Sequence, residues 1–324
     1  MHLINKIAVS VAALAVATSL VCGAGQQASE SARSSGIPSV WQGLGTVLPT
    51  SAGLPAPESP GDPSHPQTFT QIDVQGASFT SPRGINSGGD IVGFYGGKRG
   101  GIHSFLLSNG AFTTIDIPGP YLTYAFGING QGDIVGDTID SSFFPTGFLL
   151  IDGAFTTIAV PGATSTGARG INEQGDIVGY YCDSSCHGFL LIDGAFTTID
   201  VPGATSTYAN GINSRGDIVG YYYQNNIAIA HGFLLSNGAF TTIDVTGAPQ
   251  TFASGIDSQG HIAGYYYDSS FNATGFLLIN GKFITIGFPG ARQTPVNGIN
   301  PQGDSFVGDF TDVNFRGHGY LLSR

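Results

Sequence analysis

Between residues 207 and 245 the apolar positions fall in four short runs: "TYANGIN" (207–213), "DIVGYYY" (217–223), "HGFLLSN" (231–237) and "AFTTIDV" (239–245). The runs are rich in Tyr, Phe, Ile, Val and Thr, whose bulky or branched side chains suit a pleated surface. Turn chemistry separates them: "SRG" follows the first, a loop the second, "NG" the third, and "TGA" or "PGA" the fourth. No apolar stripe recurs at the 3.6-residue spacing of a helix. The pattern predicts four short antiparallel strands joined by tight turns.

The unit recurs six times. Gly-Ile-Asn, or Gly-Ile-Asp at 255, begins at 84, 127, 170, 211, 255 and 298, at intervals of 43, 43, 41, 44 and 43 residues. Phe-Thr-x-Ile or a variant begins at Phe69, Phe112, Phe155, Phe196, Phe240 and Phe283, and Gly-Phe-Leu-Leu or a near copy at 104, 147, 188, 232, 275 and 319. A repeat of this length with four strands is the unit of a β-propeller blade. The expected fold is all-β, a six-bladed β-propeller with four-stranded blades. If each blade starts at its Gly-Ile-Asn strand, the last copy ends at "GYLLSR" without a fourth strand. The unmatched "TFTQIDV" (68–74) would then complete it and cover two strand edges. Starting each blade at Phe69 would instead give six self-contained blades.

Fifty glycines, one methionine and 10% charged residues in 324 agree with many short strands. A formal net charge of −11, with 11 Lys and Arg, speaks against nucleic acid or an anionic membrane as partner. Residues 1–25 have the form of a secretory signal, with Lys6, an apolar run from Ile7 to Val21, and small residues Gly23, Ala24 and Gly25. That run is short for a membrane span. Cys22 raises lipidation, although Leu20 and Val21 suit it poorly. Residues 26–66, with seven prolines and the single Trp41, read as a linker, leaving 67–324 as the folded domain. The protein is expected in the cell envelope or outside the cell, with no membrane insertion once the signal is removed.

The stretches "GINSRGDIVGYY" and "HGFLLSNGAFTTIDV", repeated over 68–324, resemble the HAF family of bacterial extracellular repeat proteins. The chain departs from that family in having Gly for Ala between His and Phe, as at His187-Gly188-Phe189 and His231-Gly232-Phe233. The resemblance implies export and a propeller, and it implies no established activity. Arg215-Gly216-Asp217, an adhesion signal when displayed on a loop, aligns with "GQGD" at 130 and "EQGD" at 173. It is expected to be a hairpin turn.

Spacings are constant between units except in the connection from second to third strand, where the distance from "GD" to the Phe or Tyr is 15, 15, 13, 16, 15 and 16. One variable loop per unit on a fixed scaffold suits a binding face. Ligand contacts are expected from Asp140, Tyr181, Asp183, Tyr223, Tyr267, Asp268 and Asp312. Cys182 and Cys186 are expected to form a disulfide, because export favours oxidation and no second Cys pair exists to complete a metal site. His103, His187, His231 and His318 are expected to bond neighbouring turns. The loop carboxylates could hold calcium; no other cofactor and no metal centre are expected. No acid, base or nucleophile breaks the repeat, so catalysis is not expected. The function expected is non-enzymatic binding, or scaffolding, toward an extracellular glycan or protein. The alternatives are a propeller hydrolase, lyase or lactonase with a channel metal, and a purely structural envelope protein.

Overall fold

The computed structural model describes residues 68–98, 100–119 and 122–324. The signal segment 1–25 and the linker 26–66, with Cys22 and Trp41, lie outside the described residues. The first strands are β1 (Thr68–Ile72), β2 (Thr80–Ile85), β3 (Ile91–Gly96), β4 (Ile102–Ser108) and β5 (Ala111–Ile115). β2 to β5 form one four-stranded antiparallel sheet in sequence order, and residues 122–158, 165–199, 206–243 and 250–286 repeat it. A single parallel bridge, Ala230 to Gln250, joins the last two of these. In the final sheet Val296–Ile299, Ser305–Thr311 and Gly317–Ser323 supply three strands. The fourth is β1, antiparallel to Gly317–Ser323, with Phe69 opposite Leu322 and Ile72 opposite Gly319.

Repeated side chains explain the repeated sheet. The Phe of Gly-Phe-Leu-Leu is fully buried in each unit, as Phe105, Phe148, Phe189, Phe233 and Phe276, with Tyr320 in the sixth. Its ring lies over a glycine of the second strand; a Cβ on Gly136 would come within 2.7 Å of Phe148. The Phe of the fourth strand meets it edge to face, as Phe112 meets Phe105 at 5.4 Å and Phe196 meets Phe189 at 5.4 Å. Such pairs add to area burial. Phe69 of β1 makes the same contact with Tyr320 at 5.5 Å, so the N-terminal strand does for the last sheet what β5 does for the first.

The apolar core lies between neighbouring sheets. Val178, Leu190 and Ile199 of one unit pack with Ala209, Ile212 and Phe233 of the next. Ile72 and Val307 of the last sheet pack with Ile85, Ile91 and Phe105 of the first. The first strands touch through their Gly-Ile-Asn glycines: a Cβ on Gly84 would lie 2.7 Å from Phe126 O, and one on Gly298 would lie 2.4 Å from Arg83 O.

The hairpin after each first strand is fixed by its Asn or Asp. Asn213 Oδ1 accepts from the backbone N–H of Arg215 and of Asp217, both at 3.0 Å, and its Nδ2 donates to Asp257 O of the next unit at 3.0 Å. Asp217 is buried and accepts from Arg215 Nε at 2.9 Å and from the Ser236 hydroxyl. The Arg-Gly-Asp stretch is therefore a folded turn whose carboxylate is consumed internally. Among the described residues no helix is long and apolar enough to cross a membrane.

Candidate binding site in the central cavity

A cavity of about 450 Å³ lies where the first strands converge. Every first strand carries a β-bulge immediately before its Gly-Ile-Asn glycine, visible as a register shift between Pro82 and Gly84, and likewise at 125/127, 168/170, 209/211, 253/255 and 296/298. A bulge leaves one residue without a ladder partner and re-aims its side chain. The bulged residues are Arg83, Phe126, Arg169, Asn210, Ser254 and Asn297, and all six line the cavity. They differ from unit to unit while the residues around them repeat.

Two arginines dominate this ring. Arg169 Nη1 lies 2.9 Å from Asp137 Oδ2, and its guanidinium carbon sits 3.7 Å from the centre of the Phe126 ring and 5.1 Å from that of Tyr180. Arg83 lies over Phe94 at 4.9 Å, but its Nη2 is 4.0 Å from Asp309 Oδ1. Asp137 and Asp309 occupy the second-strand position that is Phe94, Tyr180, Tyr221 and Tyr265 in the other units. Burial pushes the Asp137 carboxyl up to about 6, against the pull of Arg169. Asp309 is held by Asn297 Nδ2 at 2.7 Å and Ser81 Oγ at 3.0 Å.

Tyr208, Tyr221 and Tyr265 add aromatic surface to the wall, backed by Phe252. Tyr208 stacks on Tyr221 at 4.8 Å, Tyr221 meets Phe252 at 4.9 Å, and Phe252 stacks on Tyr265 at 5.0 Å. Burial pushes the Tyr180 and Tyr124 phenols up to about 12, so both remain neutral hydrogen-bonding groups at physiological pH. Phe143, Phe144 and Pro145 of one variable loop, Cys182, and Asn172, Glu173 and Asn213 from the turns after the first strands also line it.

The residues expected to contact ligand lie elsewhere and do other work. Tyr223 and Tyr267 are buried between sheets with Tyr208, Ala230 and Phe252, not on the loop face. The first tyrosine of each run, Tyr221 or Tyr265, lines the cavity; it shares a strand face with the third, which it meets edge to face at 5.7 and 5.8 Å. Tyr181 stacks on His187 at 5.1 Å and bonds Thr198 Oγ1 at 2.9 Å. Asp140, Asp183, Asp268 and Asp312 cap their own loops. Asp268 Oδ1 accepts from Ser270 N at 2.8 Å and Asn272 N at 2.9 Å, and Asp312 Oδ1 accepts from Asn314 N and Arg316 N, both at 2.8 Å. Asp140 accepts from the Ser142 hydroxyl and from Ser142 N at 2.7 Å, and Asp183 from Ser185 N and Ser184 N. These bonds hold all four carboxyls below the usual range. In three of these loops the residue three positions on is an exposed Phe with positive φ: Phe143, Phe271 and Phe315. Among the described residues no group of three or more His, Cys, Asp or Glu is placed to hold a metal.

The structure joins Cys182 to Cys186 in a disulfide. The four histidines bond an aspartate at the end of a fourth strand: His103 to Asp116 at 2.7 Å, His187 to Asp200 at 2.9 Å, His231 to Asp244 at 2.8 Å and His318 to Asp73 at 2.8 Å. Where the histidine is replaced, by Thr146 or Thr274, the aspartate is replaced too, by Ala159 or Gly287.

The sequence matches no family model and no curated protein. Among solved structures it is similar to the SapL1 lectin in complex with alpha methyl fucoside, with 13% identity, a TM-score of 0.50, and 76% of this chain and 93% of that one covered. The fold is a β-propeller. It is also similar to a fungal Aleuria aurantia lectin described as a six-bladed β-propeller (14% identity, TM-score 0.43, 64% and 78% covered). A third is TolB from Acinetobacter baumannii (12% identity, TM-score 0.46), of which the chain covers 69% of itself and spans 60% of that protein. At 13% identity the likeness to SapL1 bears on the fold and not on the ligand.

Proposed function

We propose that this chain is an exported, HAF-like, six-bladed propeller, closed by its N-terminal strand, that binds a glycan in its central cavity without chemical turnover. One observation carries the reading: six bulges, one per unit, turn side chains of four kinds (Arg, Phe, Asn and Ser) into a single cavity, at a first-strand position that varies while its neighbours repeat. Scaffold residues repeat because each unit solves the same packing problem. Residues at an asymmetric ligand have no reason to repeat. Aromatic faces interleaved with amides, a hydroxyl and guanidinium groups suit a sugar, whose ring carbons stack while its hydroxyls bond. The SapL1 lectin was solved with a fucoside; a sugar ligand for this chain rests on its own cavity walls. One variable loop reaches this site through Phe143, Phe144 and Pro145.

A glycan array probed with the full chain, followed by calorimetric titration of the best ligand, tests the reading. Saturable binding at one site per chain is expected; an array without hits contradicts it. An enzymatic reading draws on Asp137, whose carboxyl near 6 could exchange protons at neutral pH. Release of shortened saccharide from a bound ligand would favour it.

A further inference from the structure

We propose that Arg83 anchors the carboxylate of an acidic sugar, a uronic-acid unit, in the central cavity; this rests on the glycan-binding reading above. The two cavity arginines occupy the same bulge position two units apart but are used differently. Arg169 has a close ion pair with Asp137 at 2.9 Å, a contact from Nη2 to the Tyr180 hydroxyl at 3.4 Å, and the Phe126 face at 3.7 Å. Arg83 approaches Asp309 only to 4.0 Å, beyond hydrogen-bonding distance. The Asp309 oxygen nearest to it already accepts from Asn297 and Ser81. Arg83 Nε has no hydrogen-bond partner among the described residues, and neither has Arg169 Nη1, but only Arg169 has a carboxylate oxygen within 3 Å.

The Arg83 side chain is 17% exposed, and burial holds its guanidinium below the ordinary arginine range. A planar donor fork in a low-dielectric cavity is stabilised best by a carboxylate, which takes two parallel N–H bonds at once. The surrounding groups narrow what can carry that carboxylate. Phe94 backs the guanidinium at 4.9 Å, Tyr221 and Tyr265 present aromatic surface, and Asn210 and Ser254 present an amide and a hydroxyl. A simple aliphatic or aromatic acid would use the arginine and the rings but leave the polar groups unmatched. A uronic acid uses all three.

Calorimetric titration of the full chain with glucuronate, glucose and benzoate, repeated on Arg83→Gln and Arg83→Lys, tests the assignment. Glucuronate is expected to bind at least about tenfold more tightly than glucose, and benzoate more weakly than glucuronate. Arg83→Gln should reduce glucuronate to the level of glucose. Arg83→Lys keeps the charge but not the fork, and should lose most of the preference. Both variants are first checked by thermal melting, and the lysine variant carries the test if the glutamine variant fails to fold. A neutral sugar that binds as well as glucuronate, a preference that survives both substitutions, or benzoate that outcompetes glucuronate overturns the assignment. Neutral-sugar binding without acidic preference would leave the glycan-binding reading standing, whereas no saccharide binding at all would remove both.

Discussion

Arg169 reaches across the boundary between two sheets and sets Nη1 2.9 Å from Asp137 Oδ2, so the bulge on one first strand is locked to the second strand of the preceding unit. The pair is buried, with the Asp137 side chain 4% exposed, in the wall of the cavity.

Asp137 makes stability depend on pH. Its folded-state value, about 6, is above the 3.8 of an unfolded carboxyl, so protonation favours the folded state. The stabilisation is complete below 3.8 and is lost as pH rises through 6. From the size of the shift it is on the order of 3 kcal/mol. Asp137→Asn should flatten this part of the profile. Urea midpoints measured from pH 4 to 8 check it, and an unchanged slope would count against a raised Asp137.

His231 adds a second window. The hydrogen bond that its ring Nδ1–H donates to Asp244 Oδ2 raises its pKa, so its contribution is complete below 6.5 and is lost as pH rises through the raised value. A double-mutant cycle with His231→Thr and Asp244→Gly, the residues found at Thr274 and Gly287, should give a coupling of roughly 0.5–1 kcal/mol at pH 6 that fades by pH 9. Coupling that does not change with pH would mean the pair is not charged.

Two glycines in neighbouring positions should respond differently. A Cβ on Gly220 would lie 2.0 Å from Tyr208 O and 2.9 Å from the Phe233 ring, whereas Gly216 has nothing within 4 Å and a φ of 81°. Gly220→Ala should cost about 3 kcal/mol through overpacking. Gly216→Ala should cost about 1 kcal/mol, from the backbone alone. Denaturant melts of the two variants decide whether close packing or turn geometry limits the repeat.

β1 completes the last sheet, with Phe69 against Tyr320 and Ile72 in the interface with the first sheet. Deleting residues 68–72 from the full chain exposes the edge of Gly317–Ser323 and should unfold the chain or drive it into larger oligomers or aggregate. Size-exclusion chromatography with light scattering reads the outcome. A stable monomer after the deletion would exclude closure by this strand.

The strands, their turns and the pairing of the N-terminal strand with the last sheet were legible because each leaves a periodic mark: Gly-Phe-Leu-Leu, Phe-Thr-x-Ile and Asn-x-x-Gly-Asp recur with the packing they serve. The cavity residues were missed for the opposite reason. Arg83, Arg169, Asp137 and Asp309 stand inside repeated stretches, where "RGIN" reads as one more Gly-Ile-Asn and "VGD" as one more second strand. Asking which slots vary between units, rather than which loops vary in length, would have found them. The bulge that turns those side chains inward has no letter of its own. The loop aspartates are ambiguous in sequence because an Asx turn and a ligand-binding carboxylate use the same residue. The His–Asp pairing was readable in the joint loss of both partners in two units, as Thr146 with Ala159 and Thr274 with Gly287.

The central claim is that ligand enters the cavity rather than resting on the loop tips. Ser254→Phe fills the cavity from a bulge position, while Phe271→Ser alters an exposed loop tip, 64% accessible, and leaves the cavity lining intact. With the best ligand from a glycan array, calorimetric titration should show binding abolished in full-length Ser254→Phe and retained within about twofold in Phe271→Ser. Loss of binding in Phe271→Ser with retention in Ser254→Phe would place recognition on the loops and contradict the account.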